Sequence, residues 1–101
     1  DLEMPKATAI KSSSLDRIIL VNILHEAKNS NNILMEALRL LKPKAKLIII
    51  DWEKMATPFG PKKEQKIDKP QLLAIAKKIG FLPEEDFSAG KYHFGLILTK
   101  I

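Results

Sequence analysis

Leu47-Ile48-Ile49-Ile50 runs straight into Asp51 and Trp52, the only tryptophan of the chain. Four consecutive large aliphatics leave no polar face, so a strand here must be covered on both sides, as parallel strands of α/β proteins are. The run predicts a central strand over about 46–51. Leu15 to Leu24 repeats the design upstream and predicts a second strand over about 16–24. Between them Ile33, Leu34, Ala37, Leu38 and Leu41 share one helical face, with Glu36 and Arg39 outside it. Asn29 to Asn32 supplies capping side chains for that helix, and Lys42-Pro43-Lys44 ends it because proline cannot continue a helix. The core is expected to be a β-α-β unit.

The flanking segments are read the same way. Residues 1–14, with Pro5 and serines at 12 to 14, predict a loop leading into the first strand. Residues 53–67 hold Pro58, Gly60 and Pro61 among lysines, a long irregular connection of the kind that often carries function. Asp68 opens the next helix, with Pro70 in its first turn, Gln71 at capping-box spacing and Gly80 as its terminator. Phe81 to Phe87 is a weak strand, and Tyr92 to Ile101 is a strong one. Ser88-Ala89-Gly90-Lys91 between them suggests a terminal antiparallel hairpin.

Composition narrows the classes. A chain of 101 residues that is 46% hydrophobic supports one α/β domain. No apolar run approaches the roughly 18 to 20 residues that span a bilayer, and no signal-peptide pattern opens the chain, so a cytoplasmic protein without membrane contact is expected. Zero cysteines exclude disulfides and thiol chemistry. The net charge of +5 comes from scattered lysines, and a lysine-bearing loop such as Lys54, Lys62, Lys63, Lys66 and Lys69 is usually just solvated, so nucleic acid ranks low as a partner. The sequence starts with Asp1 in a polar segment, and a fragment or a processed product is expected.

Chemistry in an open α/β sheet sits beyond the carboxyl ends of the parallel strands. The first strand delivers Asn22, His25 and Glu26 there, and the second delivers Asp51, Trp52 and Glu53. A last strand running antiparallel to them would start at the same edge and add Tyr92 and His93, placing both histidines on one rim. Each residue has two readings. His25 either meets a ligand or hydrogen-bonds backbone, and Glu26 is either a base or a solvated or capping residue. Asp51 either faces a ligand or caps the next turn, Trp52 is either a stacking platform or a packing residue, and Tyr92 and His93 are either site residues or ordinary strand residues. His25-Glu26-Ala27-Lys28-Asn29 opens like a zinc-protease motif but lacks its second histidine, so no metal is expected. The glycines are Gly60, Gly80, Gly90 and Gly95, none of which follows a parallel strand as a phosphate- or nucleotide-cradling turn would require.

The run Asp16 to Glu26, the run Glu36-Ala37-Leu38-Arg39-Leu40-Leu41-Lys42-Pro43 and the run Leu47 to Trp52, with Ile79-Gly80-Phe81 later, resemble the second half of a Rossmann-like, S-adenosylmethionine-dependent methyltransferase of type 11 kind. Glu36 to Pro43 is the most specific piece. Gly90 to Gly95 also resembles the closing segment of some uncharacterised members. Lys44-Ala45 stands where the family usually has two glycines, and the first three strands with the glycine-rich cofactor loop are absent.

The resemblance implies a three-layer, Rossmann-like half-domain with a mixed sheet. It further implies S-adenosylmethionine as cofactor, Asp1 and Leu2 against its adenine, and Asn22 and Ile23 bordering its methionine part. His25, Glu26, Asp51, Trp52, Tyr92 and His93 would then face an unidentified methyl acceptor. The family fixes no catalytic triad, because methyl transfer needs alignment and exclusion of water more than a strong base. Two functions follow: an acceptor-side half of a methyltransferase, or a non-catalytic half-domain serving as a binding or assembly module. With its first three strands missing, one edge of the 16–24 strand lacks a partner, so pairing there with a second copy or with an N-terminal half is expected.

Overall fold

The computed structural model describes residues 11–24 and 27–101, residues 27 and 28 by their backbone. Asp1, Leu2, His25 and Glu26 lie outside the described residues. In chain order the elements are β1 (Leu15–Val21), α1 (Ala27–Leu40), β2 (Leu41–Trp52), α2 (Lys69–Ile79), β3 (Phe81–Ser88) and β4 (His93–Lys100). A 3₁₀ turn at Lys63–Gln65 interrupts the connection from β2 to α2.

The strands form one mixed sheet of order β1-β2-β4-β3. β1 and β2 are parallel, with Ile18 opposite Leu47 and Val21 opposite Ile50. β4 inserts antiparallel between β2 and β3, pairing Trp52 with His93 on one side and Phe81 with Lys100 on the other. The expected β-α-β unit and terminal hairpin are both present. Pro83 falls where β3 bulges away from β4, on an edge strand, the place where a missing ladder donor is tolerated.

Helices α1 and α2 lie together on one sheet face, where Leu20, Leu47, Ile49, Leu96 and Leu98 meet Ile33, Leu34, Ala37, Leu72 and Ala76 in a single core. The opposite face carries Ile19, Val21 and Leu82, each about half exposed, beside half-buried Ile48, Ile50 and Ile97. β1 is an edge strand among the described residues, with β2 as its ladder partner.

Several boundaries move for identifiable reasons. β1 stops at Val21 and not at residue 24, because Asn22 takes φ of 56° and turns the chain while its amide still reaches the Ile50 carbonyl at 2.8 Å. Asn tolerates that left-handed conformation better than most residues. α1 begins at Ala27, so Asn29 to Asn32 lie inside it and do not cap it. α1 ends at Leu40, next to Pro43 as expected, and β2 is reckoned from Leu41. Its pairing with β1 skips from Leu41 to Lys46 around Lys44, whose φ is 69°. Asp68 occupies the N-cap of α2 without a side-chain cap bond, so the capping box with Gln71 does not form.

Glu36 is the largest departure. It is fully buried, and Arg39 grips both carboxylate oxygens at 2.7 Å. That two-pronged bond holds the guanidinium above its already high ordinary pKa. Arg39 also binds the Ser12 hydroxyl at 2.9 Å, and the Arg39 and Leu40 carbonyls accept from the amides of Ser13 and Ser14, so the end of α1 ties down the approach to β1. The helical face that looked polar in sequence is thus covered. At the same end of the sheet but toward its β3 edge, Lys46 and then Thr99 hold the Glu84 carboxyl below the usual glutamate range.

Candidate functional site

The parallel strands end where β4 begins, so Asn22, Asp51, Trp52, Tyr92 and His93 share one rim, as the sequence implied. The turn after β1 is exposed at Asn22 and Ile23, and the Ile23 carbonyl accepts from Asn29 Nδ2 at 3.3 Å.

Asp51 turns inward. It is buried, its Oδ2 accepts the Leu24 amide at 2.9 Å, and its Oδ1 accepts the Trp52 amide at 2.8 Å. The turn-capping reading of this residue is therefore realised. One carboxylate links the exit of β1 to the exit of β2. Asp51→Ala is expected to cost about 1–3 kcal/mol for each buried donor left unpaired, and to speed hydrogen exchange at the Leu24 amide. Urea denaturation with amide exchange checks this; an unchanged Leu24 amide would show that the link is dispensable.

Trp52 is packed. Its ring lies 4.2 Å from His93 and 5.8 Å from Phe59, the latter at 72°, and Phe59 meets Tyr92 at 5.5 Å and 84°. Gly60, with φ of 84°, sits so close to the indole that a Cβ there would come within 2.5 Å of it. Lys66 is also buried: its ammonium lies 5.0 Å from the centre of a Trp52 ring and donates to the Met55 carbonyl and the Thr57 hydroxyl, both at 2.8 Å. Lys54 donates to the Lys66 carbonyl at 2.9 Å, and the Glu53 amide to the Tyr92 carbonyl at 2.8 Å. The 53–67 connection is thus strapped to the rim, with two of its lysines spent on internal bonds.

Phe59 was not singled out by sequence reasoning, and Lys66 was named only as one of a solvated lysine series. The signal for the first was an aromatic residue between Pro58 and Gly60-Pro61, where a restricted backbone displays a large ring; Lys66 carried none. Among the described residues no group of three or more His, Asp or Glu side chains is placed to hold a metal ion, and no helix is long and apolar enough to cross a membrane.

A mixed sheet with this β-α-β unit, an inserted antiparallel last strand and a rim at the carboxyl ends is a Rossmann-like half-domain. The solved structures place it further. Over its whole length the chain superposes on 52% of a SAM-dependent methyltransferase from Aquifex aeolicus, with TM-score 0.84 and 24% identity. Over 91% of its length it matches 53% of a protein assigned as a type 11 methyltransferase from Sulfolobus solfataricus, with TM-score 0.79 and 32% identity. The [4+2]-cyclase SpnF shares the fold at TM-score 0.74 and 16% identity, over 93% of this chain and 52% of that one. The chain thus has the fold of a C-terminal half of a Rossmann-like, S-adenosylmethionine-dependent methyltransferase, and it spans about half the length of the solved chains it matches. No family model and no curated protein matches it.

Proposed function

We propose that the chain is the acceptor-side half of an S-adenosylmethionine-dependent methyltransferase. The observation that carries this reading is the rim itself: an exposed turn at Asn22 and Ile23 stands beside an ordered aromatic cluster, and buried Asp51 ties one to the other. Asn22 and Ile23, exposed on the turn after β1, would form one wall of the cofactor site, against its methionine part. Asp1, Leu2, His25 and Glu26 would extend the site as the resemblance implies, the first two toward adenine and the others toward the acceptor. The cofactor, when bound, supplies a methyl group on a positively charged sulfur. The chain's own work is alignment: Asp51 fixes the spacing of the two strand exits, Trp52 and the strapped loop exclude water, and Tyr92 and His93 border the acceptor.

The glycine-rich loop that would hold the remainder of the cofactor is not among these 101 residues. The open edge of β1 and the apolar sheet face beside it support pairing with a polypeptide that supplies that loop, or with a second copy. A second reading, a half-domain that assembles without catalysis, draws on the lack of that glycine-rich loop among these residues, because a shared fold does not by itself dictate methyl transfer.

Calorimetric titration with S-adenosylhomocysteine, run beside sedimentation, separates the readings. Micromolar binding is expected if the half-site is functional, with sedimentation as a dimer if a second copy completes it. A folded sample that binds nothing would leave the assembly reading, and a monomer at high concentration would remove pairing between copies.

A further inference from the structure

We infer that the acceptor received at this rim is a planar aromatic small molecule, seated on Phe59 and Tyr92 with Trp52 behind them; this rests on the acceptor-side reading above. Phe59 is braced by two rings at near-perpendicular angles and yet remains 59% exposed. Rings meeting edge to face build the walls of a box into which a further ring can stack or point its edge, a preference that arises from the aromatic quadrupole. The exposure is not the slack of a loose loop. Gly60 lies against the Trp52 indole, the Thr57 hydroxyl donates to the Phe59 carbonyl, and Lys66 binds both Met55 and Thr57. The exposed ring therefore stands on a loop that its own bonds tie down.

The amines beside the rings argue against a phosphorylated acceptor. Lys66 has its donors taken up by Met55 and Thr57 and lies over the Trp52 ring, and Lys54 is bound to the Lys66 carbonyl. Lys91 stands 5.5 Å from the centre of the Tyr92 ring and offers one charge, which suits a single ionisable oxygen on an aromatic acceptor.

The probe is 2-naphthol, with its saturated analogue decahydro-2-naphthol as the non-planar control and inorganic phosphate as the anionic one. In an NMR titration of the isotope-labelled chain, the indole N–H of Trp52 gives a single reporter signal. Saturable shifts there and at Phe59 and Tyr92 are expected, with 2-naphthol binding up to about tenfold more tightly than the saturated analogue, the size of one ring–ring preference. Phe59→Leu keeps an apolar, exposed side chain and should erase that selectivity without unfolding the chain. Equal affinity for both alcohols, stronger binding of phosphate, or no saturable shift overturns the inference. Adding S-adenosylhomocysteine to the same samples keeps the two readings apart. Its signature belongs at Asn22 to Leu24, and failure there with naphthol selectivity intact sinks the methyltransferase reading alone.

Discussion

Phe94→Ala is expected to lower the unfolding free energy by about 3–5 kcal/mol, the usual cost of deleting a fully buried aromatic ring. Phe94 is 1% exposed in the central core, lies in register with Asp51, and has the Lys69 ammonium 5.8 Å from its ring centre. It also sits one residue beyond His93, directly under the rim. A single domain is held by only about 5–15 kcal/mol, so the variant should lose much of its stability and loosen the rim first. Urea denaturation measures the loss, and the Trp52 indole signal in native buffer reports the rim. A loss below about 1.5 kcal/mol would mean that Leu96, Leu98 and α2 collapse into the space, and that Phe94 does not support the site.

Gly95→Ala should cost about 1–3 kcal/mol through overpacking. A Cβ at Gly95 would lie 2.2 Å from two carbons of the Phe87 ring, which crosses over Gly95 from the neighbouring strand. The ring can yield only by swinging off the sheet, which uncovers the backbone between β3 and β4. The cycle with Phe87→Ala isolates this cause: in the Phe87→Ala background the glycine change should become nearly neutral, since contacting residues couple and distant ones add. Additive losses in the double variant would assign the glycine's role to backbone freedom and not to the ring above it.

Legibility tracked how far a residue's partner lay along the chain. The aliphatic run of β2, the matching run of β1 and the spaced apolar residues of α1 are local patterns, and they appear as a parallel pair with a helix on one face. The turn at Ser88 to Lys91 likewise announced the hairpin. Local pattern failed where a specific side-chain partner or backbone turn overrode the residue's usual preference. Glu36 looked like a solvent-facing residue of α1, but chelation by Arg39 lets a carboxylate be buried. Lys66 looked like one of a solvated series, but two oxygen acceptors and an indole face let an ammonium leave water. Asn22 ended β1 early, which no alternation of apolar residues could signal.

The candidate site divides along the same line. That Asn22, Asp51, Trp52, Tyr92 and His93 would share one rim was determined by the sequence, because strand order and chain direction follow from apolar runs and turns whose chemistry is local. What each side chain does there was decided by tertiary structure. The Asp51 carboxylate turns inward because two amides, one of them 27 residues away, need an acceptor at that point. Phe59, marked in the sequence only by its place between Pro58 and Gly60, becomes the outermost ring of the cluster because Gly60, Thr57 and Lys66 fix the loop that carries it. Hydrogen-bond satisfaction and close packing act between residues remote in the chain, so they become visible only once the strands have brought those residues together.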